Sequence, residues 1–132
     1  MTLHRFKLDK LVRDHFPRNM SARQIGFSER TLEAEEYKQC LKNKLIEEVQ
    51  EVLEATTPEE LAEELADLLE VIRALGAVEN LSCDQIEEKR LQKKEAKGAF
   101  ENRVYCAYIE MEATNLSFPY YQHQPYKYPE IS

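Results

Sequence analysis

Three observations predict an all-α fold, a helical bundle built on a helical hairpin. Only 3 of 132 residues are Gly, and 33% charged against 42% hydrophobic content suits a helical soluble chain. Apolar residues recur at helical spacing over two long stretches. Between those stretches stands Thr57-Pro58, which ends one helix and starts the next.

The elements follow in chain order. Residues 1–30 hold seven Lys or Arg against three acids and show no sustained period, whereas residues 33–70 hold thirteen acids against three Lys. One region is suited to phosphates, the other to a metal. From Leu32 to Ala55, Leu41, Leu45, Ile46, Val49, Val52 and Leu53 recur at helical spacing without Gly or Pro, which predicts one long helix. Thr57 as N-cap, Pro58 at the first helical position and Glu60 form a T-x-x-E capping box for the next helix, striped by Leu61, Leu65, Leu68, Ile72 and Leu75. Ser82 with Gln85 repeats the capping signature, and Lys97-Gly98 gives a basic last turn with a Gly stop. A third helix over about 83–97, packed on the hairpin, is expected. Arg103 to Met111, rich in Val, Tyr, Cys and Ile, leaves room for a small two-stranded β ribbon with Gln24 to Arg30. Residues 115–132, with Pro119, Pro125 and Pro129, read as an extended tail without a helix. Its four tyrosines are better suited to packing on the body or on a neighbouring subunit than to stacking on a base.

At 132 residues, a single domain over 1–132 is expected. The net charge of -7 argues against a surface that coats nucleic acid, while leaving nucleotides as small ligands. No apolar stretch is long enough to span a membrane, and Arg5, Lys7 and Lys10 interrupt the N-terminus in a way unlike a signal peptide. Cys40, Cys83 and Cys106 are odd in number and far apart. They suggest neither a disulfide framework nor a zinc site, and a cytoplasmic location is expected. His4, His15 and His123 show no metal spacing, and no Gly-rich phosphate loop is present.

Two acidic clusters, Glu47-Glu48-Val49-Gln50-Glu51 and Glu64-Leu65-Ala66-Asp67, fall on the two helices of the hairpin. At about 100° per residue, Glu48, Glu51, Glu64 and Asp67 border the apolar stripes, while Glu47 faces away. Four convergent carboxylates repel, by roughly 4 kcal/mol per pair at about 4 Å near a surface, so a cation should sit among them. Oxygen donors in this number suit Mg2+, with Mn2+ as a substitute. The first cluster alone reads better as a solvated acidic face, but the second, at the stripe's edge across a capped hairpin, reverses the balance in favour of a site. Leu41 and Leu53 lie about 120° apart around their helix, an apolar face too broad for three helices to cover, so a homodimer is expected.

The arrangement EExxE followed by ExxD resembles the MazG superfamily of all-α nucleoside triphosphate pyrophosphohydrolases. Lys10-Leu11-Val12-Arg13-Asp14 with Pro17, and Lys97-Gly98-Ala99-Phe100, resemble its house-cleaning, phosphoribosyl-ATP pyrophosphohydrolase-like subgroup, over roughly residues 8–109. Ala99 stands where that subgroup's pattern has a second Gly. The resemblance implies Glu48, Glu51, Glu64 and Asp67 as metal ligands, with Glu47 in support. It implies Lys10, Arg13, Lys93 and Lys97 as contacts to a triphosphate. It also implies magnesium-dependent hydrolysis of a nucleoside triphosphate to monophosphate and pyrophosphate, with Glu47 and Glu51 both candidates for orienting or deprotonating the water. Arg13 beside Asp14 is equally suited to a local ion pair, and Lys93 and Lys97 to a favourable helix end. Phosphoribosyl-ATP is the alternative substrate, and a non-catalytic helical scaffold with an acidic surface is the alternative from another class.

Overall fold

The computed structural model describes residues 2–132, and these divide into two compact units, 2–96 and 97–132. The helices run α1 (Phe16–Ala22), α2 (Ala34–Glu54), α3 (Pro58–Val78), α4 (Cys83–Lys97) and α5 (Phe118–Gln122). No strand occurs among the described residues. The all-α class holds, and the ribbon left open for Gln24–Arg30 and Arg103–Met111 does not form. Val104, Tyr105 and Tyr108 are exposed, so their strand propensity meets no partner surface to bury it.

The first unit is organised by α2 and α3, which pack on each other as the predicted hairpin. Only Ala55, Thr56 and Thr57 separate them, which makes them antiparallel neighbours. Leu41 and Val71 are its buried apolar residues, and an ion pair from Lys38 to Glu79 ties the start of α2 to the end of α3. At the turn, the Glu60 amide donates to Thr57 Oγ1 at 3.1 Å. The Glu60 carboxylate accepts from the Thr56 amide at 2.9 Å and the Thr56 hydroxyl at 3.1 Å. The predicted box is therefore present, with its reciprocal bond shifted to the residue before the cap. The Ser82 and Gln85 box closes reciprocally, at 2.8 and 3.1 Å.

Two helix ends carry signals without a glycine. Asn80 (φ 57°) follows α3 in left-handed backbone, while the Leu81 amide donates to Gly76 O at 2.8 Å and the Asn80 amide to Ala77 O at 3.1 Å. This is a Schellman end with Asn at the left-handed position. Gln24 (φ 59°) ends α1 in the same way, with the Ile25 amide on Met20 O at 3.0 Å. Gly98 (φ 83°) follows α4, as the predicted Gly stop.

The third helix differs from expectation in its packing. α4 has the predicted span, but among the described residues no helix pair besides α2 and α3 is in extended contact. Its few apolar residues explain this: Ile86 sits against Gly76, Leu91 and Ala96 are exposed, and apart from the half-buried Cys83 the rest is polar.

In the second unit, a short helix forms where none was expected. Pro119 lies in the first turn of α5, where its missing amide proton costs no hydrogen bond. Tyr120, Tyr121 and Tyr128 pack edge to face and tilted with ring centroids 4.8–6.0 Å apart. These tyrosines are thus engaged with one another.

Candidate active site

The hairpin brings the two acidic clusters face to face. Glu48 projects from α2, and Glu64 and Asp67 project one turn apart from α3. Carboxylate oxygens of the three lie within 4.8 Å of one another. Glu48 is a charged residue within the small buried core, at 8% exposure. Burial raises its pKa, and the neighbouring Asp67, Glu47 and Glu51 carboxylates raise it further against the opposing pull of Lys44. Glu64 is likewise raised, by desolvation and then by Glu51, Asp67 and Glu48. Both shifts express what the geometry shows, that negative charge is crowded here without enough positive charge to balance it.

Glu51 stands outside the trio on the next turn of α2, near enough for its charge to act on Glu48 and Glu64. Glu47 faces a different environment. Burial would raise its pKa, but Lys10 and Lys44 outweigh that and hold it below the ordinary carboxylate range. Lys10 Nζ donates to Glu47 Oε1 at 3.0 Å, and Lys44 Nζ lies 3.4 Å from the same oxygen. Lys44 also stands 3.7 Å from Glu48. It was missed in the sequence, although its spacing to Glu47 and Glu48 puts it on their helical face.

Arg13 reaches much further along the chain than its neighbour Asp14. Its Nη2 donates to Asp67 Oδ1 at 2.6 Å. The basic N-terminal segment and the acidic hairpin therefore meet, through two cations that reach two carboxylates on different helices. Lys93 lies near the end of α4 and Lys97 is its last residue. Among the described residues neither makes an ion pair.

The donor chemistry fits a divalent cation. Three hard carboxylate oxygens converge from two rigid helices, and their charge calls for a small, highly charged counterion that keeps open positions for water and phosphate. Arg13 and Lys44 contact Asp67 and Glu48 of the cluster and Lys10 contacts the neighbouring Glu47, so hard oxygen donors and cations stand side by side, the two kinds of group a polyphosphate site requires.

Comparison with known proteins agrees with this chemistry. The family model described as "Phosphoribosyl-ATP pyrophosphohydrolase" matches residues 13–95, a stretch that holds Arg13, the whole hairpin and all five acidic candidates. No curated protein and no solved structure matches the chain. With more than half of its length matched, the chain belongs to the phosphoribosyl-ATP pyrophosphohydrolase family, within the MazG-like nucleoside triphosphate pyrophosphohydrolase superfamily, and is a hydrolase of nucleotide acid anhydrides.

Proposed function

We propose that the chain hydrolyses a nucleoside triphosphate, canonical or modified, to monophosphate and pyrophosphate at a magnesium centre held by Glu48, Glu64 and Asp67. The observation that carries this is the convergence of their carboxylates within 4.8 Å across the hairpin. Glu51, on the next turn, adds a fourth oxygen donor. Magnesium, or manganese in its place, supplies charge neutralisation and an acidified water when bound.

The remaining work falls to side chains of the chain. Glu47, which Lys44 still partners once Lys10 turns to phosphate, or Glu51, one turn along the same helix, orients the attacking water. Lys10 and Arg13 exchange their carboxylate partners for phosphate oxygens when substrate enters. Both bonds are between partly exposed groups, so the exchange is cheap. Lys93 and Lys97 are the second pair of phosphate contacts in this reading.

Phosphoribosyl-ATP is the second substrate reading, favoured by the description of the matching family. Incubation of a nucleotide panel that includes it with magnesium, and chromatographic separation of the products, tests both. Monophosphate with pyrophosphate is expected from a nucleoside triphosphate, and the preferred member names the substrate. Orthophosphate with diphosphate would contradict the proposed bond.

A homodimer is part of the same proposal. Ile46 and Leu53 on α2 and Leu69 on α3 are 70%, 73% and 60% exposed, a large apolar surface for one hairpin to leave in water. A cytoplasmic setting is supported by three free cysteines, and no helix of the described residues is long and apolar enough to cross a membrane.

A further inference from the structure

A cavity of about 850 Å³ lies between the N-terminal segment, the 28–32 loop and the first turns of α2. Its volume falls within the range of roughly 300–1,000 Å³ that small-molecule sites occupy. Lys10 and Arg13 line it, and these same two side chains bond to Glu47 and Asp67. The cavity is thus joined to the carboxylate centre by the cations assigned to phosphate.

Besides charged groups, among them Asp9, Asp14 and Glu29, its walls hold surface that the centre lacks. Tyr37, Phe16, Leu11 and Val12 are half-buried and offer aromatic and aliphatic surface, and Thr31 and Ser28 add hydroxyl groups that can both donate and accept. Arg30 and Glu36 form a two-bond ion pair at 2.5 and 2.7 Å that fixes the 28–32 loop against α2. Along α2, Cys40 of the cavity precedes Glu47 by seven residues, about 10 Å and nearly the same helical face. An uncharged planar group in the cavity can therefore continue past Lys10 and Arg13 into the metal centre.

We infer that this cavity is the nucleobase pocket of the enzyme, with Tyr37 as the stacking surface and Thr31 at the base edge. The assignment rests on the reading of Glu48, Glu64 and Asp67 as the metal centre. Stacking on an aromatic ring is tolerant of base identity, whereas the hydroxyl groups can discriminate between base edges.

Calorimetric titration with manganese present separates the pocket from the centre. Two probes are compared, an α,β-methylene nucleoside triphosphate and inorganic tripolyphosphate, which has no base. Tyr37→Ala and Thr31→Trp are each expected to weaken the nucleotide analogue about tenfold or more and to leave tripolyphosphate affinity unchanged. Thr31→Trp fills the cavity from an exposed position, so it decides the matter if Tyr37→Ala does not fold. If both probes weaken together, or neither weakens, while manganese binding is intact, the pocket is misassigned and the centre stands. If the wild-type protein binds neither manganese nor tripolyphosphate, the metal centre itself is wrong and the pocket falls with it.

Discussion

Glu64 makes no ion pair among the described residues, yet its carboxylate lies within 4.8 Å of those of Glu48 and Asp67. Without a metal this is repulsion, so Glu64→Gln should melt slightly above wild type in the presence of a chelator. The same change should abolish most of the magnesium-induced rise in melting temperature and lower activity about a hundredfold or more. A variant that melts lower in chelator and still responds fully to magnesium would show that Glu64 is a structural residue. Gly76 poses a different conflict. In a helix Ala is favoured over Gly by roughly 0.5–1 kcal/mol. Here a Cβ would stand 2.9 Å from Ile86 Cδ1 and 3.0 Å from Leu81 O, and the Leu81 carbonyl belongs to the tight turn that Gly76 itself anchors. Sterics should win, and urea denaturation of Gly76→Ala should show a net loss of about 1 kcal/mol. Helical angle places Glu48, Glu51, Glu64 and Asp67 at the stripe edges, and the hairpin brings the carboxylates of Glu48, Glu64 and Asp67 together while Glu51 stays one turn outside. The sequence could not reveal the partner of Arg13, since a bond across 54 residues leaves no local spacing to detect.

Among the elements, α3 depends most on its first turn. Thr57 caps it and Glu60 fastens it to Thr56, so Thr57→Ala should cost about 1 kcal/mol in chemical denaturation. The backbone bond from Thr56, then the one from its hydroxyl, lowers the Glu60 pKa. A lowered carboxylate pKa contributes stability above its unfolded value of about 4.3, and that contribution is lost as pH falls through the folded value. Acid titration should therefore weaken wild type below about pH 4 more than it weakens Glu60→Gln. Equal acid sensitivity would leave the cap without an electrostatic part. The long helices and their starts were legible because period and capping chemistry are local. α1 was not, since seven residues give no sustained period, and its end is set by Gln24 in left-handed backbone, a residue type that carries little such signal. The ribbon failed for the opposite reason: Val104, Tyr105 and Tyr108 have strand propensity, but propensity without a burying partner does not make a sheet.

For the whole molecule, a hairpin with Leu41 and Val71 as its buried apolar residues has little core of its own. The exposed Ile46, Leu53 and Leu69 should be covered by a second copy, and light scattering at micromolar concentration should give about twice the chain mass of 15.5 kDa. A mass near 15.5 kDa would remove the dimer and leave the metal centre untouched. The metal centre is tested by manganese titration followed by electron paramagnetic resonance, with pyrophosphate release measured on the same samples. Wild type should bind manganese saturably, while Glu48→Gln and Asp67→Asn should lose both the binding and the release of pyrophosphate. Turnover that survives in either variant, or a wild type that shows no saturable binding even with nucleotide present, would contradict the centre.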